Sequence, residues 1–165
     1  MIRTDTDYLS KSLIAILEQI VTSSDICKLI KYTDMKPLNQ PSFDGDLLVM
    51  KQILPYPFDN KVDNDSKIYL HVYYPTANFE ENKIMTAPIV NFDIVVPRTQ
   101  WLIKQDVGLK SNKLIRPYEI MCRLTSVLDE GRNMPYGRIN FQSFIHVQVD
   151  DVYDCIRLQA ELPNV

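Results

Sequence analysis

The chain has 165 residues, 45% of them hydrophobic and 24% charged, with a formal net charge of −3; this suits one globular domain, residues 1–165, large enough to bury a core. An acidic balance with dispersed lysines and arginines offers no field that draws in nucleic acid. No run reaches the roughly 18–20 apolar residues of a membrane span, and Met1-Ile2-Arg3-Thr4-Asp5-Thr6-Asp7 lacks the basic-then-apolar order of a signal peptide, so no membrane association is expected.

Asp5, Thr6 or Asp7 can cap a first helix whose Leu9, Leu13, Ile16, Leu17 and Ile20 share one face. Thr22-Ser23-Ser24 interrupts it and supplies a new N-cap. Asp25 complements the dipole of the following turn, and Ile26, Leu29 and Ile30 continue an apolar stripe. A helical hairpin over 7–32 is predicted, stopped before Pro37. Residues 36–66 carry Pro37, Pro41, Pro55 and Pro57, which predicts an extended, largely irregular segment, with one apolar island at 47–54 that fits a helical turn or a strand. Pro55-Tyr56-Pro57-Phe58 cannot join a central strand, because proline lacks the ladder donor. It is expected to lie across the domain or against a neighbour. Residues 59–65 have the acidic look of a calcium loop without its central glycine or closing glutamate, so a solvated turn is expected.

Residues 67–74 alternate Ile68, Leu70, Val72 and Tyr74 against Tyr69, His71 and Tyr73, and 88–97 alternate Val90, Phe92, Ile94 and Val96 against Asn91 and Asp93. Both read as strands. The loop between them, 76–86, is tipped by Asn78, Phe79, Glu80 and Glu81 and is long for a hairpin, which marks it as a contact arm. Residues 97–114 hold Trp101, a core or interface anchor, and a polar turn at 108–112. Pro117 and Glu119 open a helix over 117–130 with Tyr118, Met121, Leu124 and Leu128 on its apolar face and Gly131 as its cap. Residues 137–162 read as an antiparallel hairpin broken at Asp150-Asp151. Ile139, Phe141, Ser143, Ile145, Val147 and Val149 face inward on its first strand, and Val152, Ile156, Leu158, Ala160 and Leu162 on its second.

The predicted fold class is α+β: a four-stranded antiparallel sheet with helices packed on one face. Its other face would carry Tyr69, His71, Tyr73, Asn91, Asp93, Asn140, Gln142, His146, Gln148, Arg157 and Gln159. A face this polar is expected to meet water or a wet assembly surface.

Little chemistry is visible. Cys27, Cys122 and Cys155 are far apart without metal or redox spacing and read as buried free thiols. Four glycines build no phosphate loop, dinucleotide turn or nucleophile elbow. His71 and His146, with Asp93, could ligate a metal only from adjacent strands, and neither has a short-range partner; both read as surface polar residues. No catalytic, metal-binding or cofactor-binding residue is assigned, and no cofactor is expected. The distinctive feature is contact surface. Tyr56, Phe58, Tyr69, Tyr73, Phe79 and Trp101, with Tyr74 and the acidic tip Glu80–Glu81, are the candidate interface residues.

Ser24-Asp25-Ile26-Cys27-Lys28-Leu29-Ile30-Lys31-Tyr32 precedes the proline-rich stretch with Pro55-Tyr56-Pro57-Phe58. A strand–long loop–strand pair follows. Leu114-Ile115-Arg116-Pro117-Tyr118-Glu119-Ile120-Met121 then opens a helix, and the closing hairpin begins Gly137-Arg138-Ile139-Asn140-Phe141. In this layout the chain resembles the neck proteins that join head to tail in tailed bacteriophages, most of all the tail terminators of long-tailed phages. The resemblance implies a non-enzymatic virion protein, assembled in the host cytoplasm, that forms a homo-oligomeric ring, typically a hexamer. Such a ring caps the tail tube and docks on the head connector. Its implied partners are its own copies, the tail tube protein and head-completion proteins. The genome passes through the lumen without sequence-specific binding, for which a neutral or acidic wall is suited. Segments 36–66 and 76–86 would be the contact arms. The near alternative is a head-completion or stopper protein on the portal side of the neck. From another class, the alternative is a small metal-dependent enzyme using His71, His146 and Asp93.

Overall fold

The computed structural model of the chain describes residues 5–59, 65–76, 87–129 and 137–162. Helix α1, Asp5–Val21, buries Ser12, Ala15, Ile16, Leu17 and Ile20. Ser23 starts α2, Ser24–Lys31, by accepting a hydrogen bond from the Ile26 amide at 3.3 Å; Ile26, Cys27, Leu29 and Ile30 form its buried face. Helix α3, Arg116–Asp129, carries Pro117 in its first turn and buries Ile120, Leu124 and Leu128.

Under these helices lies a five-stranded mixed sheet in the order β1-β2-β3-β7-β6. Its strands are β1 Ile53–Leu54, β2 Tyr69–Tyr73, β3 Ile89–Pro97, β6 Asn140–Gln148 and β7 Tyr153–Glu161. β1 runs parallel to β2, and the other pairs are antiparallel. β4 Leu102–Val107 and β5 Lys110–Ile115 form a separate two-stranded hairpin. Leu70 and Val72, Phe92 and Ile94, Ile156 and Leu158 project from the middle strands into one core shared with the helices.

This corrects the expected four-stranded antiparallel sheet, and each difference has a local cause. β1 is only two residues long, so its period is illegible. It exists because a tight turn, with Met50 at φ 63°, folds the apolar island back. Met50 N–H donates to Ile53 O at 2.9 Å and Leu70 N–H to Gln52 O at 2.8 Å, which draws Ile53 alongside β2. Just upstream, Gly45 presses on the α1–α2 corner. A Cβ there would meet Cys27 Sγ and Val21 O, each at 2.7 Å, so no larger residue fits. The hairpin β4–β5 escapes a periodicity reading because both its faces are polar. Ile103 alone in it is fully buried, with Leu114 opposite at the core margin.

The expected outer face is also different. Tyr69, His71, Tyr73, Asn91 and Asp93 are buried. The strap Pro55–Phe58 covers part of this face: Tyr56 O lies 2.5 Å from His71 Nδ1, and the Phe58 ring meets Tyr69, His71 and Tyr153 at 5.4–5.8 Å. The remaining polar groups there satisfy one another. Arg157 donates to both carboxylate oxygens of Asp93 at 2.7 and 2.9 Å, and Tyr73 Oη donates to the same carboxylate at 2.7 Å. A bidentate pair of this kind offsets the cost of burying a carboxylate.

Finally, the parity of β6 switches. The pairing with β7 shifts between Phe141 and Ser143, a β-bulge that turns every later side chain to the opposite face. Phe141 faces the main core, but Phe144 and His146 then take the helix side, which places Ile145 and Val147 on the strap side. The inward set predicted for this strand is therefore correct before the bulge and inverted after it.

Candidate interaction surfaces

Among the described residues, six of the thirteen large apolar side chains left exposed fall on two elements with open edges: Leu102, Val107, Leu109 and Ile115 on the β4–β5 hairpin, and Phe144 and Ile145 on β6. In an antiparallel ladder, backbone groups alternate between one side of the strand and the other. Leu162 N–H donates to Pro88 O and Arg98 N–H to Val152 O, so even-numbered residues of β7 face β3 and odd-numbered ones face β6. Their partners Ser143, Ile145 and Val147 thus turn their amides and carbonyls toward β7. Those of Phe144, His146 and Gln148 point outward, and no described residue bonds to them. Natural edges are commonly guarded by charge or brevity. β6 is nine residues long and carries no lysine, arginine or carboxylate; Phe144 and Ile145 are 49% and 48% exposed. The Phe144 ring rests edge-on against Tyr118, and His146 stacks on Trp101 at 5.5 Å.

The β4–β5 hairpin is the second surface. On the β4 side its edge is occupied: Lys104 N–H donates to Met35 O at 2.7 Å, and Asp106 N–H to Asn39 Oδ1 at 3.0 Å. Since Lys104 and Asp106 point away from the hairpin, so do their partners Lys113 and Ser111 on the opposite side. Ile115 repeats that phase. The tip is apolar: beside Gly108, held at φ 60°, Leu109 is fully exposed and Val107 is 57% exposed. A leucine there buries nothing within its own chain.

The root of this hairpin is held by a residue that sequence reasoning missed. Arg116 is fully buried, and its guanidinium donates to Leu29 O and Tyr32 O at 2.7 Å, and to Asp34 O and Gln100 O at 2.9 Å. It thereby satisfies carbonyls left open at the C-terminal end of α2 and pins the hairpin root to them. Burial pushes its pKa down to about 10, leaving it charged at neutral pH. The signal was present as an Arg-Pro opening a helix, but that pattern suits a surface arginine equally well.

Of the sequence-predicted contact residues, Tyr69 and Tyr73 are buried and hydrogen-bonded. Phe58 is half-buried within the strap, while Tyr56 is 46% exposed. Trp101 is partly buried, donates from Nε1 to Val96 O at 3.1 Å, and packs at the core margin. Phe79, Glu80 and Glu81 lie outside the described residues. The segment 36–66 contains two 3-10 turns, Pro37–Asn39 and Gly45–Leu48, besides β1.

His71, His146 and Asp93 are not brought together as a metal site. His71 and Asp93 are paired in register on β2 and β3, but His146 lies three strands away, about 14 Å at the usual strand spacing. It also faces the other side of the sheet. Among the described residues no three His, Cys, Asp or Glu side chains cluster as ligands. Cys27 and Cys155 are buried, as expected, and burial raises both thiols, that of Cys27 to about 11. Cys122 is exposed on α3, contrary to the expectation of burial, because it falls on the polar side of the helix. Among the described residues no helix is long and apolar enough to cross a membrane.

A comparison with curated proteins finds no match. A family model does match, over residues 23–162, which span α2 through the end of β7: the chain belongs to the YomW family, named after a phage-derived, SPbeta-type prophage protein, and is a phage-related protein.

Proposed function

We propose that this phage-related chain is a tail terminator, a structural virion protein that closes into a homo-oligomeric ring, caps the tail tube and joins it to the head connector. The observation that carries the reading is the placement of exposed apolar side chains. Leu102, Val107, Leu109 and Ile115 lie on the β4–β5 hairpin, whose tip leucine is fully exposed, and Phe144 and Ile145 on an open nine-residue edge strand. Surfaces of this kind are finished by association. Two different open edges on one chain suit head-to-tail contacts, which close into rings when the rotation allows. The net charge of −3 suits a lumen through which DNA must slide without tight phosphate contacts.

Native mass spectrometry and electron microscopy of the purified protein test this. The expected result is a closed ring with an open pore that binds the ends of tail tubes and stops their growth. A protein that stays monomeric at high concentration overturns the ring. A ring that binds the portal and ignores the tube protein in pull-down assays overturns the terminator in favour of a stopper on the head side.

A further inference from the structure

Each strand edge in the described fold has an identifiable state. β2, β3 and β7 are paired on both sides. The free side of β1 is taken up by its own turn, where Val49 bridges Ile53. The outer side of β4 is bonded to Met35 and Asn39. Among the described residues, β5 and β6 are left. From this we infer that β5 of one copy pairs antiparallel with β6 of the next, a heterologous strand exchange that forms the contact between neighbouring subunits. The inference rests on the ring reading above and specifies its interface.

Three pairings of open edges are conceivable, and the residues separate them. β5 against a second β5, centred on its outward-facing residues, sets Lys113 against its own copy in a strand too short to offset the repulsion. β6 against a second β6 is isologous: it closes at two copies, builds no ring and leaves Leu109 uncovered. β5 against β6 uses both edges and matches their charges. The hairpin carries Lys104, Lys110 and Lys113 against one carboxylate, Asp106, which Lys36 already holds at 2.6 Å. The turn after β6 carries Asp150 and Asp151. Placing Lys110, beside the hairpin tip, next to that acidic turn fixes the direction as antiparallel.

The register follows from the phase of the free backbone groups. Ser111, Lys113 and Ile115 of one copy fall opposite Gln148, His146 and Phe144 of the next, so the exposed Ile115 and Phe144 become a cross-strand apolar pair. Leu109 and Lys110 then reach Asp150 and Asp151. In such a hydrogen-bonded pair the Cα atoms lie about 5.5 Å apart, within reach of a disulfide.

The test uses the full chain with the exposed Cys122 replaced (Cys122→Ser), carrying either Ile115→Cys or Phe144→Cys. Both positions are at least 39% exposed, so the fold tolerates the changes. Mixed and oxidised, the two variants are expected to form a covalent dimer that neither forms alone. Self-linkage of the Phe144→Cys chain alone overturns the inference in favour of an isologous pair. A ring in native mass spectrometry without any cross-link overturns the strand pairing and leaves the ring standing; absence of both ring and cross-link removes both. A second pair of variants reads the charge match. Lys110→Glu should lower assembly at least tenfold and Asp151→Lys should do the same, while mixing the two restores contacts between unlike chains. Failure of the mixture to recover any assembly overturns the proposed direction.

Discussion

At the β1 end of the sheet the last strand is two residues long, and its outer side is closed by the turn that made it. Met50 bends back to Ile53, and Gln52 Nε2 donates to Ile30 O at 3.1 Å and Ile68 O at 3.0 Å. At the β6 end the last strand is nine residues long and bare. Phe144, His146 and Gln148 present their backbone outward, and no charged side chain guards them. The same sheet thus shows what a sealed edge requires: brevity, a side-chain amide spent on neighbouring carbonyls, and a strap laid over the adjacent face. All three are missing at β6. Substitutions at the sealed edge should therefore act on folding, and substitutions at the open edge on assembly.

The largest effect is expected at Ile53, fully buried in β1. Ile53→Ala should lower unfolding free energy by about 2–5 kcal/mol through the cavity it leaves, read by urea denaturation. A loss near zero would mean that the β1 edge is not closed. Gln52→Ala comes next. It removes two hydrogen bonds and leaves the carbonyls of Ile30 and Ile68 without that donor, so a loss of about 1–2 kcal/mol is expected, again by denaturation and with no change in assembly. At the open edge, Ile145→Lys should cost the fold no more than about 0.5 kcal/mol, since the side chain is 48% exposed. It should nonetheless shift native mass spectra from ring to monomer, because a cation on an edge strand opposes pairing. Loss of stability with the ring intact would reverse the comparison.

How far these two edges were legible in the sequence differs for physical reasons. The open strand was found, within residues 137–162, because period two survives wherever one face is buried. Its later side-chain directions were inverted by one inserted residue near Gln142, which no alternation pattern reports. The sealed edge was legible only as an apolar island at 47–54 fitting a helical turn or a strand: two residues have no period, and what makes Ile53–Leu54 a strand is a left-handed Met50 and a glutamine side chain. Ser23 as a cap and Pro117 in a first helical turn were readable because each acts within a few residues. The burial of His71 and Asp93 depends on a strap some 15 residues upstream and an arginine 64 residues downstream. Likewise Arg116, which holds the arm, works through carbonyls 82–87 residues away. Such long-range satisfaction leaves no local trace.

The smallest expected effect concerns the turn that ends the open strand. Asp154, opposite Gln148 at the start of β7, accepts hydrogen bonds from Arg98 at 2.9 and 3.3 Å, and His146 Nε2 lies 3.5 Å away. The Arg98 hydrogen bond holds the Asp154 carboxyl below its ordinary value. A carboxylate lowered in the folded state stabilises the fold above its unfolded pKa of about 3.9, and that contribution is lost as pH falls through the folded value. The difference in melting temperature between the native chain and Asp154→Asn should thus be present at neutral pH and shrink steadily below about pH 4. Because Arg98 is largely in water, the shift should be small and should weaken further in high salt. A difference that persists unchanged at low pH would assign Asp154 a role in packing, and would remove an ionic tie that fixes the acidic end of the open edge beside the strand it terminates.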